Sequence, residues 1–200
     1  MKYICIFSAS LFLLISCTSQ PPSNINDVCK IFSEKKSWYR AAKKTEKRWK
    51  IPISVSMAFI KQESSFRSNA KPERTKLFGF IPWKRKSSSK GYSQAIDGTW
   101  KLYLKERGSW FKDRNDFDDA VDFIGWYNHK SHKELKIGLT NARALYLAYH
   151  EGWSGYRKGS HRTKPWLLST ADKVHYQHER YDSQYKSCKK KLGRRFFIFF

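Results

Sequence analysis

Glu63 stands at the end of an apolar segment, where a carboxyl group can be made to do chemistry by its surroundings. The stretch Ile51-Pro52-Ile53-Ser54-Val55-Ser56-Met57-Ala58-Phe59-Ile60-Lys61-Gln62-Glu63-Ser64-Ser65-Phe66 carries one charge before it, and Phe59 and Phe66 flank the glutamate at spacings that could wall off water. A carboxyl in such a place holds its proton to higher pH, so it can protonate a departing oxygen near neutrality. Breaking a glycosidic bond requires that step. Taken alone, a glutamate near a helix end reads as a solvated surface group, and its context decides between the two readings.

That context includes two further short elements, Gly91-Tyr92-Ser93-Gln94 and Ala148-Tyr149-His150-Glu151-Gly152. In order and spacing, the three elements resemble the soluble-lytic-transglycosylase family. That family sets its sole catalytic glutamate immediately before a serine, followed by a Gly-Leu-Met-Gln element and then Ala-Tyr-Asn-Ala-Gly. The resemblance spans roughly residues 50 to 180 and implies a lysozyme-like fold, with function still to be argued from the site. Glu63, Ser64, Gln94, Tyr149 and Gly152 match directly. Tyr92 and Ser93 replace Leu and Met, and His150 and Glu151 replace Asn and Ala.

The resemblance gives these residues a shared task. Gly91 would let backbone approach a sugar, Gln94 would line the cleft, and Tyr149 would hydrogen-bond near Glu63. With Ser64, Tyr92, His150, Glu151 and Gly152 they form the expected substrate-binding set. Each also has a purely structural reading: a glycine can serve a turn or helix stop, and a tyrosine can be a core aromatic with a satisfied hydroxyl. The family's tyrosine on the closing helix has no secure counterpart; Trp166 lies at the aligned place, with Tyr176 and Tyr181 beyond it.

The resemblance also implies the reaction, cleavage of the β-1,4 bond between N-acetylmuramic acid and N-acetylglucosamine in peptidoglycan, without a cofactor. The muramic acid C6 hydroxyl would serve as nucleophile and close a 1,6-anhydro ring, with Glu63 as acid and then base. A carboxylate count agrees, since glycoside hydrolases ordinarily use two and only Glu63 is well placed. Asp97, Asp113 and Glu73 fall at a helix start or in loops, while Glu151, inside a matched element, is the exception. A hydrolytic muramidase and a catalytically silent wall-binding module remain as alternatives.

Trp126-Tyr127-Asn128-His129-Lys130-Ser131-His132 is rich in groups suited to binding. Its histidines, three apart, share a helix face, but no third ligand stands at a recognisable spacing, so no metal is expected. Asn128 and His132 are read as hydrogen-bonding inside the domain or to the sugars and peptides of the substrate. Exposed tryptophans such as Trp83 or Trp153 could stack on sugar faces.

Helices must position these groups. Val28, Ile31, Phe32, Trp38, Ala41, Ala42 and Trp49 recur at mostly helical spacing, which predicts one helix or a pair over 27–49. Pro52 suits the opening of the next helix, which should end near Ser64. Residues 71–90 read as irregular, with room for a short hairpin near 75–93. Further helices are expected over 97–106, 116–132, 140–151 and 164–190. The class is mainly α, a single domain over 27–191.

The ends bear on location. Lys2 and the apolar run Ile4 to Ile15 read as a secretory signal, and Leu14-Ile15-Ser16-Cys17 resembles a lipoprotein processing box. Residues 1–16 would then be removed, Cys17 would carry lipid, and 17–26 would form a flexible tether; an ordinary signal peptide with an incidental Cys17 is the alternative. In a Gram-negative cell, Thr18 after the cysteine, by resemblance to known lipoprotein sorting, implies the periplasmic face of the outer membrane. Cys29 and Cys188 then remain, and an exported protein favours their disulfide. The formal charge of +23 implies an acidic partner surface. Export argues against nucleic acid and for the envelope's peptidoglycan or anionic lipid. The tail Arg194-Arg195-Phe196-Phe197-Ile198-Phe199-Phe200 is too short to span a bilayer; it could dip into an interface or be an extension without function.

Overall fold

A computed structural model of the chain describes residues 20–194; the segment read as a signal, Cys17 and the aromatic end of the tail lie outside them. Seven helices dominate: α1 (Val28–Glu34), α2 (Lys36–Trp49), α3 (Ile53–Ser64), α4 (Asp97–Arg107), α5 (Phe117–Leu135), α6 (Ala142–Lys158) and α7 (Pro165–Arg194). A two-stranded antiparallel hairpin, β1 (Arg74–Leu77) and β2 (Ile81–Arg85), stands between α3 and α4. The architecture is the mainly α, lysozyme-like domain that the sequence implies. Among the described residues, no helix is long and apolar enough to cross a membrane.

The core is organised around α3. Its residues Ile53 to Ile60, Ser54 and Ser56 included, are all buried, so this helix is covered on every side rather than along one stripe. It packs against α2, α5 and α7, while α5 and α6 pack on each other and α6 on α7. The aromatic core continues outward, with Trp38 stacked on Phe117 at 4.0 Å and Phe123 amid Trp100, Tyr103 and Trp126 at 5.3–5.6 Å. The pair of helices over 27–49 forms as expected. The last helices run longer than the sequence patterns, because α6 continues past Gly152 to Lys158 and α7 reaches Arg194.

One buried carboxylate holds three helices together. Asp122 Oδ1 accepts from Arg48 Nη1 and Trp49 Nε1, both at 2.9 Å; Oδ2 accepts from Tyr103 at 2.8 Å and Arg107 Nε at 3.1 Å. Burial alone would raise its pKa. Hydrogen bonds from Tyr103 and Trp49, with the charges of Arg48 and Arg107, outweigh that and hold it below the ordinary carboxylate range. The network ties α2, α4 and α5 behind the cleft.

The two ends of the described fold are joined by the Cys29–Cys188 disulfide, with Cα atoms 6.1 Å apart. It links α1 to the far part of α7. Tyr181 of α7 is fully buried and donates to the Ile25 carbonyl, so the segment before α1 is drawn onto the same helix.

Candidate active site

Glu63 stands in the last turn of α3. The helix stops there because Ser65 and Phe66 both adopt left-handed backbone, with φ of 50° and 62°. Residues with a Cβ enter that region at a cost, and such strain is characteristic of places where a side chain must be held in one position. Phe66 then turns inward and stacks on Trp38 at 5.8 Å, with no exposure. It therefore supports the turn from within the core rather than flanking the carboxyl.

Phe59, one helical turn before Glu63, does lie beneath the site. Its ring meets Tyr146 and Tyr149 edge-on, at 5.3 Å each. Burial raises the Glu63 pKa to about 7, a shift opposed in part by a hydrogen bond from the Tyr146 hydroxyl. Tyr146 is itself held protonated, by burial first and then by the neighbouring Glu63 charge, so it remains a donor. A carboxyl poised there can give a proton and take one back near neutrality.

Glu63 opens into a groove of about 520 Å³. The segment before α4 contributes Ser87, Ser89, Gln94, Ala95 and Ile96, and α4 itself Thr99; α5 contributes Phe123 and Tyr127, and α6 the run from Tyr149 to Gly152. These elements are cross-braced. Tyr149 donates to the Ser93 carbonyl at 2.6 Å, and Tyr127 to the Ala148 carbonyl at 3.2 Å. Gln94, at φ 50°, donates through Nε2 to the carbonyls of Gly91 (2.7 Å) and Ala70 (3.0 Å) and accepts from Ser89. Its amide is thus largely spent on shaping the loop, while its side chain still lines the groove.

The structure therefore gathers Glu63, Gln94, Tyr149, His150, Glu151 and Gly152 around one cavity. It draws the rest of the expected substrate set elsewhere. Ser64 is buried and returns its hydroxyl to the Ile60 carbonyl at 3.1 Å. Tyr92 is a core ring between Trp38 and Phe117, 5.6 Å from each. Gly91, at φ +76°, is required by its neighbour rather than by a sugar, since a Cβ there would meet the Arg114 carbonyl oxygen at 2.0 Å. Asn128 is fully buried in α5. His132 turns to the Ile137 carbonyl, 2.7 Å from its Nδ1, beyond the end of α5. His129 likewise faces the Trp49 carbonyl.

Glu151 differs most from a free carboxylate. Its side chain is 4% exposed, with Lys164 Nζ at 2.8 Å from Oε1 and 2.9 Å from Oε2. Ser160 donates to Oε2, and His150 Nδ1 lies 3.0 Å from Oε1. Burial would raise its pKa, but hydrogen bonds from Lys164, Ser160 and His150 and the Lys164 charge bring it to about 2. It is a fixed anion, already paired. Of the other acids, Asp97 pairs with Arg114 at 2.8 Å, Asp113 lies 3.8 Å from Lys90, and Glu73 is on an exposed loop. None of the three lines the groove.

Gly152 adopts φ 73° and ψ 163° inside α6, kinking it at the groove. His150 meets the half-exposed Trp166 edge-on at 5.0 Å. Tyr176 is exposed and Tyr181 buried, and neither is among the lining residues. Trp153 stacks on Tyr127 at 5.0 Å and donates to Ser131, whereas Trp83 is half exposed on the hairpin. Sequence reasoning missed Tyr146. The signal was present, because Tyr146 lies three residues before Tyr149 and so shares its helix face.

A family model described as a transglycosylase SLT domain matches residues 5–188. No curated protein matches the chain significantly.

Proposed function

The chain belongs to the transglycosylase SLT family, and from that premise we propose that it cleaves the β-1,4 bond between N-acetylmuramic acid and N-acetylglucosamine without water as nucleophile. Family membership itself supports a peptidoglycan-acting enzyme of lytic-transglycosylase type. The finer reading rests on one observation: the groove holds a single carboxyl with its pKa raised toward neutrality, Glu63, while the second carboxylate on its lining is tied to Lys164, Ser160 and His150.

In this mechanism Glu63 begins protonated and gives its proton to the glycosidic oxygen as the C1–O bond breaks. The C6 hydroxyl of the same muramic acid then bonds to C1, and the Glu63 carboxylate takes the hydroxyl proton. An intramolecular hydroxyl has a high effective molarity, so no second carboxylate is needed to activate water. Tyr146 would steady the carboxyl through both steps. The products would be one water lighter than hydrolytic muropeptides. Mass spectrometry of material released from sacculi checks this: 1,6-anhydromuramic ends are expected, and reducible muramic ends would establish a hydrolase.

We further propose export with lipid attachment at Cys17, placing the domain at the periplasmic face of the outer membrane. Cys17 closes an apolar run that follows Lys2. Metabolic labelling with palmitate in a Gram-negative host is expected to mark the wild-type chain and not Cys17→Ala; equal labelling of both would remove the lipid claim.

A further inference from the structure

We propose that the β1–β2 hairpin is a docking element for an anionic lipid bilayer, with its aromatic tip entering the headgroup region and its basic stem meeting phosphates. The strands and tip lie outside the lining around Glu63, and their docking does not depend on the catalytic reading. The hairpin exposes a run of apolar side chains. Phe78 is 80% exposed, Phe80 73%, Trp83 49% and Ile81 42%, and β2 is exposed along its whole length. Large exposed apolar side chains clustered in one short hairpin point to an interaction surface.

The turn places Phe78 where folding alone would favour another residue. Phe78 and Gly79 both have positive φ, 52° and 81°, and Phe80 N–H closes the turn on the Leu77 carbonyl at 3.3 Å. Turns of that class favour Asn or Asp followed by Gly. A phenylalanine accepts strain at that position, and its ring, left in water, returns no packing energy to the domain.

The stem has the complementary charge. From Arg74 to Ile96 the chain has no acidic residue, whereas Arg74, Lys76, Lys84, Arg85, Lys86 and Lys90 all fall within it. Arg74 and Arg85 brace the hairpin through the carbonyls of Trp83 and Pro72, which leaves their charge in place. Aromatic rings at the acyl boundary with Lys and Arg reaching headgroup phosphates is the chemistry of an interfacial anchor.

A glycan surface fits less well. Sugar hydroxyls must exchange water for protein hydrogen bonds, and at the tip the side chains of Phe78, Phe80 and Ile81 can make none. The hairpin runs directly into Ser87 and Ser89 of the groove, so docking would hold the cleft close to the membrane surface.

The test compares chains beginning at Thr18, so that neither the apolar run nor a lipid at Cys17 contributes to membrane binding, the fold itself lying within residues 20–194. Wild type, Phe78→Ser/Phe80→Ser/Trp83→Ser and Lys76→Gln/Lys84→Gln/Lys86→Gln are mixed with vesicles of phosphatidylglycerol and phosphatidylethanolamine, or of phosphatidylcholine alone. Binding is followed by co-sedimentation and by hydrogen exchange of the amides over 77–86. Wild type is expected to bind the anionic vesicles with slowed exchange in that window. The serine variant should bind at least roughly tenfold more weakly, and the glutamine variant should lose the preference for anionic lipid. Unchanged exchange over 77–86, equal binding by wild type and the serine variant, or equal binding of wild type to both vesicle types overturns the proposal. So does slowing produced by soluble glycan strands and not by vesicles, which would assign the patch to the wall.

Discussion

Glu63→Gln is expected to lower turnover on sacculi by roughly a thousandfold or more, the loss of both proton transfers at one position, while sacculus binding and the fold persist. Glutamine keeps the shape and can still accept from Tyr146, but it has no proton to give. Wild-type turnover should fall as pH rises above about 7, because the reaction starts from the protonated acid. Stability offers an independent readout. A folded-state pKa of about 7 lies above the unfolded value of about 4.3, so the native state holds this proton more tightly. That contribution is complete below the unfolded pKa and is lost as pH rises through 7. Glu63→Gln should therefore melt with less dependence on pH across that window. Glu151→Gln is the necessary contrast, expected to retain measurable turnover despite weakening its bonds to Lys164. Turnover in Glu63→Gln above a tenth of wild type, or none in Glu151→Gln, would defeat the single-carboxylate mechanism.

Part of this site was legible in the chain because its signals are local. An apolar helix stopping at Glu63 and the kink glycine of Ala148–Gly152 are set by sequence neighbours, and both stand in the groove. The direction of a side chain within a matched element is not local. Ser64 and Tyr92 sit beside functional positions, but Ser64 is still within α3 and returns its hydroxyl to the Ile60 carbonyl, and Tyr92, following the left-handed Gly91, packs between Trp38 and Phe117. His132 had the right chemistry on the wrong stretch of α5, and the nearby Ile137 carbonyl took it. The lining residues Ile96, Thr99, Phe123 and Tyr127 come from separate segments whose convergence only the packed helices define. Tyr146 is intermediate: periodicity puts it on the face of Tyr149, yet only the depth of α6 against α3 shows that it reaches Glu63.

The hairpin for which the sequence left room near 75–93 does form, with no core contact to announce it. Residues 71–90 read as irregular because two prolines, a glycine and a lysine-rich run give no burial pattern, and the structure confirms that nothing there is buried well enough to make one. Two strands form all the same, paired Arg74 to Arg85 and Leu77 to Ile81. Backbone pairing, the Thr75 hydroxyl on the Lys84 carbonyl and the arginine braces supply what packing does not.

Removing the disulfide through Cys29→Ser/Cys188→Ser is expected to be the largest single loss of stability, about 5 kcal/mol by the loop-closure argument for so long a ring. The bond spans 159 residues, so its absence chiefly frees the unfolded chain. The native contacts near it should persist: Gln184 accepts from the Val28 N–H at 3.0 Å and donates to the Asn26 carbonyl at 3.1 Å, and Tyr181 stays buried. A loss of this size approaches the whole stability of an ordinary domain. It should nevertheless leave the groove intact while the protein is folded, because Glu63, Tyr146 and Tyr149 are held by α3 and α6 rather than by α1. Urea denaturation of both chains measures the change, and turnover at low temperature tests the separation. A variant of unchanged stability would refute the entropic account, and a folded but inactive one would mean that the α1–α7 link reaches the site.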